Sequence, residues 1–196
     1  MDATARHRGF TLLEVITVIA IIGIAAAIAL PVLIKTLPQR YLRSTARDLY
    51  SALMQAKSEA IRQGTFVSVR IEPNDPNHMF IIFVDNGEGG GIARNGKQDN
   101  PAEKLLFSSG KLANRVIFYP GKDFASDGSG ITFVNKAAVF NARGLPVKAG
   151  GSGNEFGGGK LKLCAATWGG QATDDCRVIA VSSAGRIRLT KQVEPD

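Results

Sequence analysis

Arg8-Gly9-Phe10-Thr11-Leu12-Leu13-Glu14 leads without a break into twenty uncharged residues, Val15 to Ile34. A helix rises about 1.5 Å per residue, so this run reaches roughly 30 Å, the thickness of bilayer hydrocarbon. One membrane-crossing helix is expected over residues 10–34. Residues 1–9, Met-Asp-Ala-Thr-Ala-Arg-His-Arg-Gly, form a short polar and basic leader ahead of it. A basic flank stays on the cytoplasmic side of a span, which places the rest of the chain outside. An ordinary secretory signal is the competing reading, because Ala25-Ala26-Ala27 offers a small-residue cleavage site after the apolar stretch.

Glu14 argues against that alternative. Insertion scales charge about 2.5–3.5 kcal/mol for an acid in the middle of a membrane helix, so such a group needs a partner. No basic residue stands between Arg8 and Lys35. Cutting the chain after Gly9 would give Phe10 a free amine, and a carboxylate one helical turn along a neighbouring subunit can pair with it. Arg8 to Glu14 followed by the apolar run resembles the class III signal of type IV prepilins and type II secretion pseudopilins. The resemblance implies that a prepilin peptidase cuts between Gly9 and Phe10 and N-methylates Phe10. It also implies that Glu14 assists docking into a filament. Pro31 lies near the end of the span, where a proline deletes a helix hydrogen bond; in this family a proline at about this place accompanies a helix segment that loosens in the fibre, and a simple kink at the membrane boundary is the alternative.

Beyond the span, Leu42, Ala46, Leu49, Leu53, Ala56 and Ala60 recur at three- and four-residue steps, while Arg43, Arg47, Lys57 and Arg62 fall largely elsewhere. That periodicity predicts an amphipathic helix over 35–64, ended by Gly64 as a C-terminal cap with Arg62 in the last turn. Runs rich in β-branched and aromatic residues then predict strands at 65–72, 79–84, 105–107, 116–119, 131–134, 138–140, 160–165, 177–181 and 186–190, with a turn at Pro73-Asn74-Asp75-Pro76. The fold class read from this order is α+β: a long N-terminal helix, half membrane span and half amphipathic, packed on an antiparallel β head over 65–196. The order resembles the GspH/FimT branch of pseudopilins and minor pilins, with looser support from Val139-Phe140-Asn141-Ala142-Arg143-Gly144 and from Val181 to Leu189; the resemblance implies a two-sheet head, both sheets antiparallel, against the C-terminal half of the long helix.

The formal charge is +7, of which the leader supplies +1 through Arg6 and Arg8 against Asp2. The residual excess suits anionic partners and is equally a solubility charge. Cys164 and Cys176, with eleven residues between them in the exported part, are expected to form a disulfide contributing roughly 3 kcal/mol. A zinc site would need about four ligands, and His78 is the single histidine beyond the leader. No metal and no cofactor is expected. The glycine-rich segments Asp85 to Asn100 and Ala149 to Gly159 read as mobile loops; the first carries Asp85, Asn86, Glu88, Asp99 and Asn100 without the alternating register of an EF-hand.

No catalytic constellation emerges, since His7 leaves with the leader and His78 reads as a turn or surface residue. The chain therefore reads as a structural subunit rather than an enzyme. Its expected partners are the prepilin peptidase, other pilins or pseudopilins, an inner-membrane assembly platform and the lipid bilayer. Either a type II secretion pseudopilus or a type IV pilus fits. A second reading, from a different class, is a DNA-binding module displayed on a pilus for DNA uptake. It rests on Gly185-Arg186-Ile187-Arg188, where a strand would turn Arg186 and Arg188 to one face and Ile187 and Leu189 to the other. FimT-type minor pilins linked to DNA uptake carry a similar Gly-Arg-x-Arg segment, and secretion-type relatives end in similar strands that merely complete the sheet.

Overall fold

The computed structural model describes residues 10–99, 101–119, 129–151, 155–167 and 169–193. Gly9 and the rest of the leader lie outside them. One helix, α1, runs Leu12–Gln63 and continues through both Pro31 and Pro38. The chain divides into two compact units between Leu37 and Pro38. In the first unit every large apolar side chain of α1 from Leu12 to Ile34 is exposed, and this part of the helix is long and apolar enough to cross a membrane.

In the second unit the helical stripe finds its core. Leu42, Ala46, Leu49, Leu53, Ala56 and Ala60 are fully buried, while Arg43, Arg47 and Arg62 stay exposed. Each buried leucine is worth roughly 1.5–3 kcal/mol, and the alanines between them are buried with them. Gly64 takes the left-handed conformation, φ 66°, that a C-terminal cap requires. Arg62 donates to Glu59 one turn back at 2.6 Å.

Two antiparallel sheets share that core. The first has the order β3 (Leu105–Ser108), β2 (Phe80–Val84), β1 (Val67–Ile71), β5 (Ala137–Phe140) and β6 (Pro146–Val147). The second has the order β4 (Val116–Phe118), β7 (Gly159–Ala166), β8 (Ala172–Val181) and β9 (Ile187–Val193). Val67, Val69, Ile71, Phe80 and Ile82 from the first sheet meet Leu161, Leu163, Ile179 and Val181 from the second around the helical stripe. The α+β reading and its two-sheet head are therefore found.

Three stretches depart from expectation. The strand expected at 131–134 is reduced to a single bridge, Ile131 to Leu161. A tight 3-10 turn over Val134–Lys136, with Asn135 and Lys136 at positive φ, redirects the chain into β5 instead. β6 was hidden by Pro146, which lacks a donor and is accommodated on the sheet's edge. β8 begins at Ala172, five residues before the apolar signal at Arg177, because its polar start extends the hairpin with β7.

The segment after β2 is pinned rather than loose. Asp85 is fully buried, and its carboxylate accepts the Ser68 hydroxyl at 2.5 Å and the main-chain N–H groups of Gly96 and Asn95 at 2.8 and 3.3 Å. Gly96 has φ 71°, and a side chain there would strike Ala137, so glycine is required for the loop to lie on β5. Burial raises the Asp85 carboxyl above its usual range, and burial does the same for Glu103, which caps Gly87 and Asp99.

Asp85→Ala should lower the stability of the head by about 3 kcal/mol, since it strands a buried hydroxyl and two buried N–H groups. A raised native pKa means that the folded state holds its proton more tightly. The stabilisation is complete below the unfolded value and is lost as pH rises through the native one. The gap between wild type and Asp85→Ala in denaturant unfolding should widen as pH falls from neutrality towards about 4. A gap that narrows over that window would contradict this account.

Candidate functional site

Two features stand out, one on each unit. On the first, the helix opens with Thr11 Oγ1 accepting the Glu14 main-chain N–H at 3.2 Å, and the Thr17 hydroxyl donates to the Glu14 carbonyl at 2.9 Å. These contacts fix the first turn through its main chain and leave the Glu14 carboxylate outward. Among the described residues no cation pairs with it. Phe10, one turn earlier, is 82% exposed. A long apolar surface headed by one uncompensated carboxylate is a surface built to be covered.

On the second unit, the outer face of the four-stranded sheet carries a basic groove. Ser182 N–H donates to the Arg186 carbonyl at 3.0 Å, Arg186 N–H donates back to Ser182 Oγ at 3.1 Å, and Gly185, φ 75°, closes the turn. Lys57 of α1 holds this turn by donating from Nζ to the Gly185 carbonyl at 2.8 Å. Ile187 is buried and Leu189 packs against the core, whereas Arg186 and Arg188 are exposed. The register adds a residue that sequence reading missed. Lys160 pairs with Ala180, and Ala180 pairs with Arg188, so the lysine and the arginine flank one small residue on the same face. With Gly158 and Gly159 beside them they line an open groove of about 760 Å³. Lys160 stood inside an expected strand, and only the pairing of β7 with β8 and of β8 with β9 brings it to the arginines.

Cys164 and Cys176 are direct cross-strand partners on β7 and β8, their Cα atoms 4.1 Å apart, and they form a disulfide. It lies on the groove's face of the sheet, towards the other end, at the irregularity in register between Cys164 and Ala166.

Comparison with known proteins settles the family. The pattern described as type II transport protein GspH matches residues 45–185, and the prokaryotic N-terminal methylation motif matches residues 4–30. The chain belongs to the GspH family. It is 28% identical over 187 residues to the pilin-like protein PilA1 of Thermus thermophilus, covering 93% of this chain and 98% of that one. The fold is also that of the type IV minor pilin FimU of Pseudomonas aeruginosa, with TM-score 0.51, 19% identity and coverage of 78% and 90% of the two chains. The minor pseudopilin EpsH of Vibrio cholerae gives TM-score 0.44 at 15% identity, covering 76% of this chain and 96% of its own. As a GspH-family protein the chain is a minor pilin or pseudopilin, a structural subunit rather than an enzyme. Its methylation motif and apolar helix mark a membrane-anchored prepilin, processed by a prepilin peptidase and assembled with other pilins into filaments.

Proposed function

We propose that the precursor is cut between Gly9 and Phe10, that Phe10 is N-methylated, and that the subunit waits in the inner membrane with its head on the periplasmic side. It then enters the filament when the new Phe10 amine of one subunit pairs with Glu14 of another. The observation that carries this reading is the carboxylate itself: exposed, one turn from Phe10, and without a cation on its own chain among the described residues. Glu14→Leu removes a charge that opposes insertion, so the variant should reach the membrane at least as well as wild type. Incorporation into sheared filaments should nevertheless fall by an order of magnitude or more. Normal incorporation would eliminate Glu14 as a docking group.

The basic groove favours a second reading, in which the head is displayed on a type IV pilus and holds DNA by its backbone during uptake. Arg186 and Arg188 follow one edge of the groove and Lys160 lies across it, which suits phosphate contacts without sequence preference. Duplex DNA should bind the chain with a salt dependence of about three released counterions. The double variant Arg186→Gln/Arg188→Gln should lose gel retardation while keeping its circular dichroism, and Lys160→Gln should reduce the salt slope by about one. Equal retardation by the double variant would remove the groove as the DNA site.

A further inference from the structure

The hairpin that joins β1 to β2 carries a side-chain cluster used by neither the membrane helix nor the basic groove. Glu72, Asp75 and His78 converge there, with one ligand atom from each lying within 4.8 Å of the others. Their side chains are each about a quarter exposed. His78 Nε2 lies 2.9 Å from Glu72 Oε2, and His78 Nδ1 lies 3.3 Å from Asp75 Oδ1.

The main chain fixes these positions. Glu72 N–H donates to the Met79 carbonyl at 2.8 Å, closing the base of the hairpin. Asp75 Oδ1 accepts the main-chain N–H groups of Asn77 and His78 at 2.7 and 3.1 Å, and Pro73 and Pro76 limit the backbone on either side. Arg70 donates from Nε to Glu72 Oε1 at 2.6 Å, which orients that carboxylate and leaves Oε2 towards the imidazole.

A neutral imidazole carries one N–H and one bare nitrogen. Here Glu72 Oε2 sits at hydrogen-bond distance from Nε2 and Asp75 Oδ1 lies beside Nδ1, so two anionic groups border one ring. Negative charge concentrated around a nitrogen donor attracts a cation. We propose that Glu72, Asp75 and His78 form a binding site for a divalent transition-metal ion of the Zn²⁺ type. Nε2, Glu72 Oε2 and a carboxylate oxygen of Asp75 ligate the ion, which takes the place of the proton between Nε2 and Glu72. Two carboxylates and one imidazole fall short of the six to eight oxygens that calcium takes, and a nitrogen donor selects a transition metal over magnesium. Three protein ligands leave a fourth position to water.

The test is a calorimetric titration of the untagged chain in detergent with ZnCl₂ at neutral pH, after treatment with a chelator. One Zn²⁺ per chain should bind, and Co²⁺ in its place should give a visible absorption band of a low-coordinate site. His78→Ala and Glu72→Gln should each weaken binding at least tenfold, with circular dichroism unchanged because the hairpin's main-chain bonds remain. Absence of saturable binding by wild type would overturn the proposal. Undiminished binding by His78→Ala would overturn it too, since the ion would then sit elsewhere, His7 of the leader included.

Discussion

A carboxylate one turn into an apolar helix, with no cation on its own chain among the described residues, is the constraint around which this molecule is organised. Glu14 is costly in a bilayer as long as it lacks a partner, and the residues between Arg8 and Lys35 offer none. The one cation that can arrive nearby without a new side chain is an amine released by cleavage before Phe10. On this account processing and assembly are one electrostatic event. The precursor has no amine at that place, and a subunit cut before Phe10 would have one for a neighbour's carboxylate to reach.

The head answers a different requirement, which is to cover a helix whose stripe is too small and too regular to pack on itself. Alternating leucine and alanine along Leu42 to Ala60 presents a narrow surface, and residues of both sheets share one core with it. Once the sheets are placed, their outer faces become available for other uses. The loop pinned by Asp85 covers the outer face of the first sheet. On the second, the small residues Gly158, Gly159 and Ala180 leave the basic groove open. The hydrogen bond from Lys57 to the carbonyl of Gly185, in the turn before Arg186, shows how directly the helix positions that groove.

Much of this was legible from residue types alone, because the signals were local. A twenty-residue uncharged run, a three-and-four stripe, a glycine at the helix end and paired cysteines each state a physical requirement that few structures meet. What escaped was set by pairing across strands. Lys160 reaches Arg188 only through the register over Ala180, and β6 is recruited by β5 despite its proline. The loop from Asp85 looked mobile because its glycines were read as freedom, whereas Gly96 serves close approach and Asp85 supplies the buried anchor. His78 looked like an ordinary turn residue because its carboxylate partners, three and six positions back, are brought to it by the hairpin.

The claim that cleavage creates the partner for Glu14 depends on where the mature chain begins. Mass spectrometry of the N-terminal peptide from membrane-extracted protein tests this most directly. The account predicts a peptide that starts at Phe10 and carries one added methyl group on its amine. A mature chain starting after Ala27 would remove both Phe10 and Glu14 from the finished subunit and contradict the account.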